Sequence, residues 1–126
     1  MFAFLRLVFL LLWTLPTTLV GLLWCLVCRP VAVRWRDGVI EMQVKWLPMR
    51  AAGETIGHLV MYSSPLDGPR YQYVKPHEMV HVDQNDRWGV LFGPLYGVAC
   101  VVAWAGGGHY YFDNYFEVQA RVLSGH

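Results

Sequence analysis

The sequence predicts an α+β fold with a membrane-embedded N-terminus, and three observations carry that prediction. A nearly unbroken apolar stretch runs from Phe2 to Val27, β-prone runs flank Asp37-Gly38, and two helical patterns follow, the first of them containing His-Glu-x-x-His. Composition agrees. Of 126 residues, 56% are hydrophobic and only 15% charged, more apolar than soluble domains usually are. The formal net charge of +1 gives no electrostatic footprint for a nucleic-acid partner.

The expected organisation is a membrane anchor over residues 1–29 and one domain over 30–126. Leu7 to Val27 is long enough for a spanning helix, which needs about 20 apolar residues. Pro16 near its middle predicts either a kinked crossing or a hairpin that enters and returns. The stretch is too long for a secretory leader, and no small-x-small site follows it, so an uncleaved anchor is expected. Arg29, Arg34 and Arg36 outweigh Arg6 and predict a cytoplasmic location for the following domain. Cys25 and Cys28 form a C-x-x-C in an apolar setting with no second Cys/His pair nearby. They read as buried small hydrophobes, and Cys100 makes the cysteine count odd.

A small antiparallel sheet is expected next. Val31–Arg36 and Val39–Trp46 flank Asp37-Gly38, the strongest short-range hairpin signal in the chain. Arg34 and Arg36 alternate with Val33 and Trp35, predicting one wet and one buried face. Pro48 to Glu54 reads as a loop, Thr55 to Tyr62 as a third strand, and Ser63 to Arg70 as exposed turns. Pro76 suits a helical first turn, so the helix is expected from about Pro76 to Trp88, ending at Gly89. Val90 to Ala105 is apolar but short for a span and broken by Gly93, Pro94 and Gly97. It is expected to pack on the anchor as a buried or interfacial helix and to return through Gly106 to Gly108. Asp113 to Leu123 reads as the last helix, with Asp113 or Asn114 near its N-cap.

His77-Glu78-x-x-His81 is the motif that names a chemistry. On a helix the two His lie on one face, four residues apart, and can share a metal ion, with Glu78 beside the first. Two neutral imidazoles leave zinc a strong Lewis acid that brings bound water toward a pKa of about 7. Glu78 would take the proton during attack on a carbonyl and hand it to the leaving amine. A catalytic zinc needs three protein ligands, so one more must come from elsewhere. The candidates are Glu117, Asp113 and His109, while His126 at the chain end is expected to fray. Glu117 leads, because a carboxylate on a mostly buried helical face needs a partner; its bland alternative is a solvated pair with Arg121. Gln84, seven residues after His77 on the same face, could support the site. His58, alone in an apolar strand, is a ligand or donor candidate whose structural reading is the commoner one. Asp83 and Asp86 read as solvated, with Asp83 a possible holder of an imidazole N–H, and Tyr110 or Tyr111 could stabilise an oxyanion.

Three strings together resemble a known family. His-Glu-x-x-His-x-x-Gln at 77–84 is followed by Arg-Trp-Gly-x-Leu-Phe-Gly-Pro-Leu-Tyr at 87–96. Tyr-Tyr-x-Asp-Asn-x-Phe-Glu-x-x-Ala then fills 110–120. The set is similar to small bacterial membrane proteins that look like minimal gluzincin-type metallopeptidases, and the likeness covers most of the chain. It departs at Tyr115, where that pattern has Pro. The resemblance implies His77, His81 and Glu117 as zinc ligands, Glu78 as general base and a bacterial inner-membrane location. The expected function is hydrolysis of peptide bonds in a peptide or protein substrate at the bilayer, by Glu-assisted attack of zinc-bound water. A non-catalytic membrane protein with a structural zinc, or a peptidase-like sensor or scaffold subunit, are the alternatives. A topological condition comes with the site: if Val90 to Ala105 crossed the bilayer once, Glu117 would end on the opposite side from the two His.

Overall fold

A computed structural model describes residues 2–125. The architecture is α+β: four α-helical stretches around a mixed four-stranded sheet. The first stretch is bent. Helices α1 (Phe2–Trp13) and α2 (Leu15–Val27) meet at Thr14 with a 65° bend, a geometry that suits a broken span or a re-entrant loop. Pro16 at the start of α2 makes the break, since its ring and missing N–H cannot continue α1. Thr14 Oγ1 donates to Leu10 O at 2.8 Å, alongside the Thr14 backbone N–H at 2.9 Å, so the hydroxyl is satisfied within α1.

The Asp37-Gly38 hairpin forms as expected. Strands β1 (Pro30–Arg36) and β2 (Val39–Val44) pair antiparallel, with Arg36 opposite Val39. Asp37 and Gly38 both have positive φ, 54° and 77°, as a tight right-twisted hairpin turn demands. The expected third strand is instead two. Strands β3 (Gly53–Ile56) and β4 (Leu59–Tyr62) form their own hairpin about Gly57-His58. Gly57 has φ +65°, and a Cβ there would lie 2.4 Å from Thr18 Oγ1, so only glycine fits. The sheet order is β1-β2-β4-β3, and β4 runs parallel to β2, so the sheet is mixed rather than antiparallel.

Helices cover both faces. Leu59 and Met61 pack with Met42, Val44, Cys25 and Cys28 toward α2, whereas Val60 and Tyr62 pack with Val39, Tyr71 and Val82 toward the third helix. That two-sided burial explains why β4 reads as a solid apolar run with no alternation. Strand β1 behaves differently from expectation. Val33 and Trp35 are 63% and 54% exposed, because no helix covers their face of this edge strand. Arg34, expected to be wet, is half-buried and bonds Glu41 (2.8 Å), Asp67 (2.6 Å) and Tyr71 (3.0 Å). Asp67 is held down to about 2 by its bond to Arg34.

Helix α3 runs from Pro69 to Trp88, starting about two turns earlier than Pro76 suggested. Pro69 is the residue at its first turn; Pro76 lies inside. A 3-10 turn at Gly89–Leu91 leads into α4 (Phe92–Ala105). Together Pro69–Ala105 make one helix of 37 residues, long and apolar enough to cross a membrane. The 14 residues of α4 alone rise about 21 Å, short of a hydrocarbon core of about 30 Å. Of the two expectations for α4, the buried one fails: Val98, Val101, Val102 and Trp104 are exposed, and its inner side packs on α5. The chain does turn back after Gly106. Asn114 Nδ2 donates to Tyr96 O at 3.2 Å, so α5 (Tyr115–Ser124) starts beside the first half of α4. Asn114 caps it by accepting from Phe116 N at 2.9 Å.

Candidate metal centre

Helix α3 presents His77 and His81 one turn apart, and the return after α4 brings α5 against them. His77 Nε2 and His81 Nε2 lie 3.2 Å apart. Glu117 Oε1 is 3.0 Å from the first and 3.2 Å from the second. Three donors held tetrahedrally by an ion about 2.0–2.1 Å away stand about 3.3 Å apart, so the triangle has the size of one face of a zinc site. Proton inventory points the same way. His81 Nδ1 donates to Gln84 Oε1 at 2.8 Å, so a neutral His81 carries its lone pair on Nε2, the atom that faces His77 and Glu117. Two imidazole nitrogens and a carboxylate oxygen thus converge on one point. These residues could hold a metal, and the donor set is not specific to zinc.

The surroundings are dry. Glu117 is 3% exposed, Glu78 4% and His81 5%. Burial works to raise the Glu117 pKa, but its bonds to His77 and His81 outweigh that and hold it well below the usual carboxylate range. The solvated Glu117–Arg121 pair is therefore excluded; the Arg121 guanidinium instead bonds the Phe112 carbonyl. Gln84 Nε2 donates to Phe116 O (3.0 Å) and Gln119 Oε1 (2.8 Å), so one side chain orients His81 and ties α3 to α5.

Glu78 points toward β3. Thr55 Oγ1 donates to Glu78 Oε2 at 3.2 Å, fixing the carboxylate from the strand. Gly53 permits that approach, since a Cβ there would meet Glu78 Cγ at 2.9 Å. Glu78, His81 and Glu117 share a cavity of about 320 Å³ with all four residues of β3 and with Tyr96, Tyr110 and Tyr111. Burial, then the Glu117 and Glu78 carboxylates, raise the Tyr111 pKa, keeping that phenol a donor. Glu54, also in the wall, is raised by burial and by Glu78.

Other sequence candidates sit elsewhere. His58 is at the β3–β4 turn, where Nδ1 donates to Gly38 O (2.7 Å) and Nε2 to Asp86 Oδ1 (2.5 Å). Asp86, expected to be solvated, is thus the holder of an imidazole, while Asp83 is exposed. Asp113 accepts from His109 N at 2.6 Å, and His109 Nδ1 accepts from Tyr111 N and Phe112 N, both at 3.1 Å, so both residues shape the loop. His126 lies outside the described residues.

Three residues escaped the sequence reading. Tyr96 OH donates to Glu117 Oε2 at 2.6 Å. Thr55 holds Glu78, and buried Asn85 links His81 O (2.8 Å) to Gly57 N (3.1 Å). Tyr96 carried a signal: a hydroxyl in an otherwise apolar helix needs a partner. No family profile, no curated protein and no solved structure matches the chain.

Proposed function

We propose that the chain is a membrane-associated, zinc-dependent peptidase. The observation that carries this reading is the convergence of His77, His81 and Glu117 on one point while Glu78, buried and fixed by Thr55, opens on the same cavity. The triad alone would suit several metals. Glu78 beside it is what favours hydrolysis, because a carboxylate next to the metal serves as a base for water. A bound zinc supplies Lewis acidity, acidifying water and polarising a carbonyl. His77, His81 and Glu117 hold the ion, and Gln84 fixes the tautomer and direction of His81. Glu78 takes a proton from the attacking water and returns it to the leaving amine. Strand β3 is the outer strand of the sheet and all four of its residues line the cavity, so its free edge can pair with an extended peptide. Tyr111 offers an O–H toward the developing oxyanion.

The membrane part of the proposal rests on the bent α1–α2 pair, on the 37-residue helix and on the exposed apolar side chains of both. Because α5 returns beside Tyr96, the three donors stay on one side whether or not α4 dips into the bilayer. A bacterial inner membrane with the site facing the cytoplasm is the proposed location.

Purified full-length chain in detergent tests the reading through zinc content and cleavage of a peptide library. About one zinc per chain is expected, with Glu78→Gln keeping the zinc and losing about 10²–10⁴-fold in rate. Zinc without turnover would leave a structural metal or a sensor subunit, and no zinc would overturn the proposal.

A further inference from the structure

The two oxygens of Glu117 have unequal surroundings. Oε1 is near both imidazoles, 3.0 Å from His77 Nε2 and 3.2 Å from His81 Nε2. Oε2 is also within 3.1 Å of His81 Nε2, so distance alone would let the carboxylate bind through both atoms. What separates them is Tyr96, whose hydroxyl donates to Oε2 at 2.6 Å. The phenol is held firmly: its ring packs on Phe92 (5.8 Å) and Phe116 (6.3 Å), and its carbonyl accepts from Asn114, the cap of α5. Helices α4 and α5 are thereby locked at the residue that presents Glu117.

We propose that Tyr96 is a positioning residue that engages one oxygen of Glu117 and leaves only the other for the metal, keeping a coordination position free for substrate. The inference rests on the metal-site reading above. The physical basis is competition for lone pairs. A short O–H···O⁻ bond is among the stronger hydrogen bonds in a dry site, and an oxygen so engaged is a poorer metal donor. A carboxylate that bound through both oxygens would fill the position a catalytic zinc keeps open. The arrangement also makes an exposed apolar helix part of the metal site, so the seating of α4 and the grip on Glu117 are one property.

Cobalt substitution reads this out without turnover. Four-coordinate cobalt has an intense visible ligand-field band, which weakens when coordination rises. Tyr96→Phe keeps the ring packing and removes only the hydroxyl. Full-length parent chain in detergent should bind cobalt with the intense band. Tyr96→Phe should show a weakened, shifted band and an affinity about 10–100-fold lower. Tyr115→Phe, which removes an exposed hydroxyl from α5, the helix that carries Glu117, should match the parent. Unfolding of the metal-free proteins measures general loosening: losing the bond to Glu117 should lower the midpoint of Tyr96→Phe, whereas loosening alone would not change the coordination that the cobalt band reads. Unchanged affinity and spectrum in Tyr96→Phe would overturn this inference alone, as would a lower affinity with the cobalt band of the parent. No cobalt binding by the parent would overturn it together with the metal site.

Discussion

Helix α3 carries two buried histidine clusters that differ in how they are closed. Near its end, His58 from the β3–β4 turn meets Asp86, and both ring nitrogens donate to protein acceptors, Gly38 O and the carboxylate. Nothing is left over. One to two turns earlier, His77 and His81 meet Glu117 with two imidazole nitrogens facing each other, and the cluster opens on a cavity. The first has a complete set of donors and acceptors, so protein chemistry alone accounts for it. The second brings two imidazole nitrogens and a carboxylate oxygen to one point, a donor set that could also hold a metal ion. A buried His–carboxylate pair is thus uninformative about function until its proton inventory is written out.

The difference can be broken most severely at Glu117. Glu117→Ala removes a donor and should weaken zinc binding well beyond the roughly 100-fold upper range for outer-shell residues, measured by chelator competition. Asp86→Ala should leave zinc affinity as it is. The reverse test is stability. Asp86→Ala leaves a buried His58 imidazolium unpaired and should cost about 3 kcal/mol in denaturant unfolding, whatever the metal content. If Asp86→Ala instead depleted zinc at unchanged stability, the two clusters would have to exchange roles.

Added zinc sharpens the contrast. At about 100 times its dissociation constant it should stabilise the parent by about 2.7 kcal/mol and do nothing for Glu117→Ala. The closed cluster carries a pH dependence of its own. Burial opposes the charge on His58, but the Asp86 carboxylate and the Gly38 carbonyl hold its pKa above the ordinary value. Asp83 adds attraction from α3 and is itself faced by Arg87 and Arg6. A raised pKa means stability fully present below about pH 6.5 and lost as pH rises through the higher folded value. Unfolding midpoints across that range should fall in the parent and stay flatter in His58→Gln. The smallest effect is expected at the turn that seats His58. Gly57→Ala forces a side chain to positive φ against Thr18 and should cost about 1–3 kcal/mol, with zinc affinity unchanged.

What the sequence revealed of all this follows the range of the interactions. Local chemistry was readable: Asp37-Gly38 placed a hairpin, Pro16 a helix break, Asn114 a cap and the His spacing one helical face. Glu117 was readable because a buried carboxylate needs a partner. The Gly57-His58 turn was hidden because β-prone residues flank it on both sides, and the Gly requirement comes from Thr18, far away in the chain. The parallel β2–β4 pairing leaves no local mark at all. Pro76 drew the helix start away from Pro69, since both suit a first turn and only tertiary packing of Tyr71 under the sheet decides. His58 and Asp86 could not be paired from sequence, for their meeting depends on how α3 crosses the hairpin.

Zinc-edge X-ray absorption on the purified full-length chain tests the central claim most directly. The account predicts about one zinc per chain, with a first shell of nitrogen and oxygen near 2.0–2.1 Å and the outer scattering of two imidazoles. A sulfur shell near 2.3 Å would move the metal to Cys25 and Cys28, and an absence of zinc would contradict the assignment of His77, His81 and Glu117 as its ligands.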